Sequence, residues 1–381
     1  MEASRRMFLS QANTPGENLS ALCREYGISR TTAYKWLSRD KAGEPLTDQS
    51  KRPFHSPNLT PASVEEAIVE LRVKHPAWGP HKLKHVLERE GRKMPAKSTI
   101  ATILRRNGCI SKEASAAHRP YQRFERALPN SLWQTDFKGD FLLENEQRCF
   151  PLTVLDDCSR YSLCVDAKRN QQSAGVKESF TRVFKEYGLP DELLCDNGLP
   201  WGNNQLTGFT RFEVWLMKLS IRPIHGRAHH PQTQGKEERF HRTLKDELLK
   251  RTLLADFPFA QQAFDTFREE YNTVRPHQAL DMDVPASRYR PSPRRFPSTM
   301  FGPEYPCHAQ VRKVGNHGSI LYKGKYYFLS EAFIGESVAL MESDLPNSVD
   351  VMFYDFRVAR IDLADRHITS LRPLRRQVVP L

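Results

Sequence analysis

Three β-rich runs, 132–143, 149–157 and 161–168, follow one another with only short turns between them. A helical pattern over 173–187 comes next, then a short apolar strand at 192–195 that ends at Asp196. Helices near 207–219 and 232–250 flank a strand at 221–224, and a long helix over 257–275 closes the unit at Arg275-Pro276. A strand meander followed by alternating helix and strand predicts one mixed α/β layer.

The segments around this layer read differently. Residues 19–39 break into two short helices about Gly27, with Leu19, Leu22 and Cys23 on the apolar side of the first. Ile28 seals the turn, Ser29 caps the second helix, and Ala33, Trp36 and Leu37 face inward. Arg30, Thr31, Thr32 and Lys35 are left on the outer face, donors placed to enter a DNA major groove. This is a helix-turn-helix pattern. After a proline-bearing linker, a second helical module starts at Thr60-Pro61. It turns at Trp78-Gly79-Pro80 and ends in a helix that Ser98 is expected to cap. His75, His81 and His85 have no cysteine pair beside them, so zinc is not expected there.

Beyond a proline-rich joint, five short strand-like runs (308–314, 319–329, 336–342, 348–354, 357–363) predict a small β-barrel, followed by a basic tail. The expected organisation is therefore multidomain. Residues 1–40 form a helix-turn-helix, 41–58 a linker, 59–110 a second helical DNA-binding module and 111–130 another linker. The α/β core covers 131–290, the joint 291–306, the barrel 307–365 and the tail 366–381.

Charge follows the same division. The formal net charge is +12. Residues 1–130 hold 23 Lys and Arg against 13 Asp and Glu, a net of +10, and the remainder nets +2. A basic front on a near-neutral body points to nucleic acid as the partner of the first part. No apolar run reaches the ~18 residues of a membrane-spanning helix. The first twenty residues lack the apolar segment of a signal peptide. The seven cysteines (Cys23, Cys109, Cys149, Cys158, Cys164, Cys195, Cys307) are scattered without a C-x-x-C pair, as in a reducing compartment. A cytoplasmic, nucleoid-associated chain is expected.

The core's order is that of a ribonuclease-H-like layer, and three carboxylates stand out in it. Asp136 sits within a strand beside aromatic residues, where a buried carboxylate is costly unless it is paired or binds a cation. Asp196 ends a strand beside a glycine turn, the edge where α/β sheets place ligands. Glu238 lies on a helix whose buried stripe is Phe240, Leu244 and Leu248, and it shares an adjacent face with His241, Arg242 and Lys245. Three such carboxylates suit hard divalent cations. Two ions ~3.5–4 Å apart can activate an attacking oxygen and stabilise a leaving one at a phosphodiester. The cationic face would hold the phosphate backbone.

WQTDFKGDF, LTVLDDCSRYSL, LCDNG, HHPQTQGKEERFHRTLKDEL and YNTVRPHQAL resemble the catalytic core of insertion-sequence transposases related to retroviral integrases. The resemblance covers about 130–290, and helix-turn-helix segments before the core are typical of the group. By position, Asp136, Asp196 and Glu238 match the acidic metal-binding triad. The resemblance implies DNA strand cleavage and joining that depends on Mg²⁺, two ions per site, with Mn²⁺ expected to substitute. It also implies double-stranded DNA partners, both terminal repeats and target, and a homo-multimer on DNA. Two departures stand beside it: an enlarged PWGNNQLTG loop between Asp196 and Glu238, and Glu237 where the motif is usually apolar. Glu237 is thus the alternative third ligand. Asp156-Asp157 reads as a structural turn, Cys158, Cys164 and Cys195 as core thiols, and His229-His230 as DNA contacts or caps. A nuclease that only hydrolyses and a DNA-binding regulator are the alternative activities.

Overall fold

The computed structural model describes residues 2–48, 59–110, 126–196, 198, 200–201, 208–225 and 235–375. It separates into two units, Met1–Thr60 and Pro61–Leu381. Most of the PWGNNQLTG loop, 200–208, and the pair His229-His230 lie outside the described residues.

The first unit holds α1 (Glu2–Ala12), α2 (Leu19–Glu25) and α3 (Arg30–Lys41). Asn18 caps α2 by accepting from the backbone of Ser20 and Ala21, and Ser29 caps α3 by accepting from Thr32 N at 3.1 Å. Gly27 reverses the chain between them with φ at +63°, a conformation glycine adopts without a Cβ penalty. Helix α1 is an addition to the sequence reading: Phe8 and Leu9 are its only fully buried residues, too few to show a period. Phe8 meets Tyr26 and Trp36 edge to face, ring centroids 5.4 and 5.6 Å away.

The second unit opens with α4 (Ala62–Lys74), α5 (Pro80–Arg89) and α6 (Lys97–Arg106) around Ile68, Trp78, Leu83, Ile100 and Leu104. The capping expectation fails at α6. Its N-cap is Ala96, with no side-chain cap bond, and Ser98 lies one residue inside the helix, where its hydroxyl no longer precedes the free amides. His75 stacks on Trp78 and pairs with Glu270, 3.0 Å away on the later core helix, while Arg251 donates to the Lys74 carbonyl. The second helical module is thereby seated on the core.

The core comprises β1 (Leu132–Phe137), β2 (Phe141–Leu142), β3 (Arg148–Asp156), β4 (Ser162–Lys168), α7 (Ser173–Tyr187), β5 (Glu192–Cys195), α8 (Arg211–Lys218), β6 (Arg222–His225), α9 (Gly235–Leu244), α10 (Phe257–Thr273) and α11 (Pro285–Arg288). Strand order is β4-β3-β1-β5-β6, with β2 pairing the start of β3. β3 runs antiparallel to β1 and β4, whereas β1, β5 and β6 are parallel. Alternation along the strands supplies two cores. Trp133, Leu152 and Val154 pack under α7 and α8, and Leu155 and Val165 pack under α9 and α10. Helix α9 gives way to a π-helical turn, Lys245–Leu249, which shortens the expected 232–250 helix.

The proline-rich joint straps back onto this layer. Ser292 donates to the Tyr187 carbonyl, Leu189 donates to the Arg294 carbonyl, and the Arg294 guanidinium reaches the carbonyls of Pro190, Leu219 and Ser220.

β7 (Gln310–Lys313), β8 (Ser319–Tyr322), β9 (Lys325–Phe328), β10 (Ser337–Glu342), β11 (Ser348–Phe353), β12 (Phe356–Asp362) and β13 (His367–Arg375) complete the chain. The expected small β-barrel is not closed among the described residues. One sheet runs β13-β12-β11-β10-β7, and the β8-β9 hairpin pairs only with itself. The 319–329 run turns at Lys323-Gly324, both at positive φ, so it yields two four-residue strands that pair with each other. The start of the expected basic tail is β13, paired with β12 through Ile361 and Ile368. Val214 and Met217 of α8 join this sheet's apolar core.

Candidate active site

β1 is the central strand of the layer. Its alternation sends Trp133 and Phe137 towards α7 and α8, and turns Gln134 and Asp136 to the face that α9 covers. β5 pairs with β1 from Leu132↔Glu192 to Gln134↔Leu194. Two more residues of that register bring Asp196 level with Asp136. Glu238 comes from the first turn of α9 and is exposed, as is Asp196.

Asp136 registers the convergence. Burial pushes its carboxyl up to about 6; the Phe137 amide, donating at 2.8 Å, opposes the shift, and the negative charges of Asp196 and Glu238 add to it. Like charges gathered without a cation disfavour ionisation, and a bound cation reverses that. Among the described residues, no three His, Cys, Asp or Glu side chains stand close enough to hold an ion as they are.

Glu237 behaves unlike Glu238. It is buried, with 1% of its side chain exposed, and accepts from Thr153 Oγ1 at 3.0 Å. Burial first, then the charge of Asp136, pushes its carboxyl well above the usual range. A ligand must face the incoming phosphate, so the geometry favours Glu238. His241, expected among the DNA contacts, also turns inward: Nε2 lies 2.8 Å from Thr153 Oγ1 and 3.5 Å from Glu237, and Nδ1 4.0 Å from Asp136. Burial, with the positive Lys138 nearby, lowers it to about 4. Spacing on the helix grouped it with Glu238, but the stripe that packs on the sheet is wide enough to include it. Arg242 and Lys245 remain exposed beside Glu238.

The Asp156-Asp157 turn is a joint between elements. Asp156 accepts from Asn130 N and from Ser159 N and Oγ. Asp157 accepts from Gln134 Nε2 at 2.6 Å and Lys236 Nζ at 2.5 Å, which ties β1 to the start of α9. Cys164 and Cys195 are buried thiols, pushed up by burial. In the first unit, Arg30, Thr31 and Lys35 are exposed on α3, while Thr32 is half-buried with its hydroxyl 2.9 Å from Ser29 Oγ.

Sequence reasoning missed His225 beside Asp196, and Glu213 behind it. His225 ends β6 with Nδ1 2.9 Å from the Asp196 carbonyl and Nε2 2.9 Å from Glu213 Oε1. It missed Thr153 as well, although a threonine inside the apolar run PLTVL was a visible signal.

The integrase core domain family matches residues 126–231 and, in a second form, 219–285. The C-terminal domain of the IS481 family transposases matches 309–369; a helix-turn-helix domain matches 8–54 and a homeodomain-like domain 32–104. The 39.2 kDa protein of insertion element IS476 from Xanthomonas euvesicatoria is 26% identical over 71% of this chain and 78% of its own length. A putative transposase for insertion sequence element IS5376 from Geobacillus stearothermophilus is 20% identical over 95% of this chain and 88% of its own. Among solved structures, the HTLV-2 integrase catalytic core in complex with magnesium is 16% identical with a TM-score of 0.33, covering 43% of this chain and 99% of that one. A simian T-cell lymphotropic virus intasome is 17% identical with a TM-score of 0.37, covering 75% and 96%. Integrase cores are metal-dependent, and the helix-turn-helix domains bind DNA. No helix among the described residues is long and apolar enough to cross a membrane. The chain is a DNA transposase of the insertion-sequence type, a polynucleotidyl transferase built on an integrase core.

Proposed function

We propose that Asp136, Asp196 and Glu238 are the catalytic carboxylates and hold divalent cations, Mg²⁺ with Mn²⁺ as a substitute, two ions per site. The observation that carries this reading is one sheet edge: the β1–β5 register sets Asp196 level with Asp136, Glu238 enters from the first turn of α9, and the charges of both bear on the Asp136 carboxyl. An all-oxygen donor set fits hard cations. When bound, the ions supply charge stabilisation at the attacking and leaving oxygens of a phosphodiester.

The chain's own residues then do the positioning. Arg242 and Lys245, exposed beside Glu238, take the phosphate backbone of the DNA end. In the first unit, Arg30, Thr31, Thr32 and Lys35 read the element's terminal repeat from α3. Water attacks the phosphodiester at the element end, and the P–O3′ bond breaks to leave a 3′-OH. That 3′-OH attacks a second phosphodiester in the target, forming one P–O bond as another breaks. Each joined strand conserves its bond count, so joining draws on no external energy source and no covalent protein–DNA intermediate. Joining two ends takes two active sites, and the protein acts as a homo-multimer on DNA.

The test is strand transfer with labelled element-end DNA and Mn²⁺ or Mg²⁺, comparing wild type with Asp196→Asn. Joined products from the wild type alone support the reading. Cleavage without joining would make the protein a nuclease, and joining by Asp196→Asn would remove Asp196 from the site.

A further inference from the structure

Asp196 follows directly on Cys195, the last residue of β5. Among the described residues, the pairing with β1 ends at Leu194 and the pairing with β6 ends at Cys195, opposite His225. The Asp196 carbonyl has a partner in His225 Nδ1 at 2.9 Å. A carbonyl oxygen only accepts, so Nδ1 carries the hydrogen and the ring's orientation is fixed.

The ring is held from its other side. Nε2 lies 2.9 Å from Oε1 of Glu213, a buried residue. The second oxygen of Glu213 accepts from Thr210 N at 2.6 Å and Thr210 Oγ1 at 3.0 Å, closing the capping box of α8. That helix is anchored by Phe212, Trp215 and Leu216 in the core. The chain of contacts therefore runs from the packed body of α8 through Glu213 and His225 to the peptide of Asp196.

We infer that His225, oriented by Glu213, is a positioning residue that fixes the Asp196 peptide and so aims its carboxylate. This rests on the reading of Asp196 as a metal ligand. A partner that orients a ligand without touching the ion governs how tightly the ion is held. Such a ligand keeps its affinity only while the orienting hydrogen bond is made.

Two substitutions separate this role from simple packing. In His225→Asn the amide nitrogen takes the place of Nδ1 and can donate to the Asp196 carbonyl, but the side chain is too short to reach Glu213. His225→Gln places its nitrogen near Nε2, towards Glu213 and away from that carbonyl. The experiment follows Mn²⁺ binding to the full chain by the paramagnetic resonance signal of free Mn²⁺. Thermal unfolding and binding to element-end DNA are measured beside it. His225→Asn is expected to hold Mn²⁺ close to wild type, and His225→Gln about tenfold more weakly, with DNA binding unchanged in both. Wild-type Mn²⁺ affinity in His225→Gln overturns the proposal, because the contact that matters would then be the one to Glu213. An Asp196→Asn control separates the two readings. If it binds Mn²⁺ like wild type, Asp196 is not a ligand and the underlying reading fails. If it loses Mn²⁺ while His225→Gln does not, only the positioning role fails.

Discussion

The two aspartates that meet at the edge of the sheet are held by opposite means. Asp136 lies within β1, roofed by α9, with the buried Glu237, Thr153 and His241 packed behind it. Asp196 lies one residue past β5, exposed, and is steadied through its backbone by His225. The first is placed by burial and bears its electrostatic cost, visible in a carboxyl pushed up to about 6. The second is placed by a hydrogen bond and keeps its solvation. The proposed site thus has one wall fixed by burial and one set by a hydrogen bond, and substitutions on the two sides should fail differently.

The sharpest contrast lies on the fixed side, between neighbouring glutamates. Glu238→Gln is expected to reduce strand transfer on the order of a thousandfold, the ~4 kcal/mol expected of a lost metal ligand. Glu237→Gln should stay within about tenfold, since burial disfavours the charge at this position and an amide oxygen still accepts from Thr153. Strand-transfer rates at saturating Mn²⁺ decide it, and a reversed order would make Glu237 the ligand. Next in size is the tie between β1 and α9. Asp157 has no exposed side-chain area and accepts from Lys236. Lys236→Met leaves that carboxylate with only neutral donors and should cost about 3 kcal/mol of stability, read from denaturant unfolding. An unchanged midpoint would mean the pair is dispensable and the wall is fixed by packing alone.

Those residues show what a sequence can and cannot display. The core was legible because strand and helix periods are local, and the edges of α7 and β5 match their patterns residue for residue. The proposed triad was picked out by its motif and its places at strand and helix ends. The support behind it was not. His225 and Glu213 are twelve residues apart on different elements, and nothing at either position marks a partner until the fold brings them together. His241 was misplaced because helical spacing gives an angle about the axis but not the width of the buried stripe. The barrel failed for a related reason: apolar runs mark where strands lie, but closure depends on which edges pair.

Proton linkage probes the burial of Asp136 directly. A carboxyl raised from 3.8 to about 6 binds its proton more tightly in the folded state. Stability from this group is therefore present below about pH 4 and is lost as pH rises through 6. His241, lowered to about 4, acts in the opposite direction, favouring the fold as pH rises from 4 to 6.5. The difference between wild type and Asp136→Asn isolates the aspartate. Without divalent ions, the substitution should stabilise the protein at pH 7.5 by about 2 kcal/mol, a two-unit shift discounted for partial exposure. At pH 4 the gain should vanish. A gain that is the same at both values would assign the effect to packing.

The smallest expected effects lie at the mouth of the site, where Arg242 and Lys245 are exposed. Each takes a phosphate in the proposed complex, so each alanine variant should weaken DNA binding uniformly across sequences. The slope of log affinity against log salt should fall by about 1 per residue. Arg30→Ala on α3 should behave otherwise, costing about 1–3 kcal/mol on the terminal repeat and far less on unrelated DNA. Equal losses on both DNAs for Arg30→Ala would reduce α3 to a second phosphate clamp. The comparison would then move from base reading against backbone holding to two backbone contacts in series.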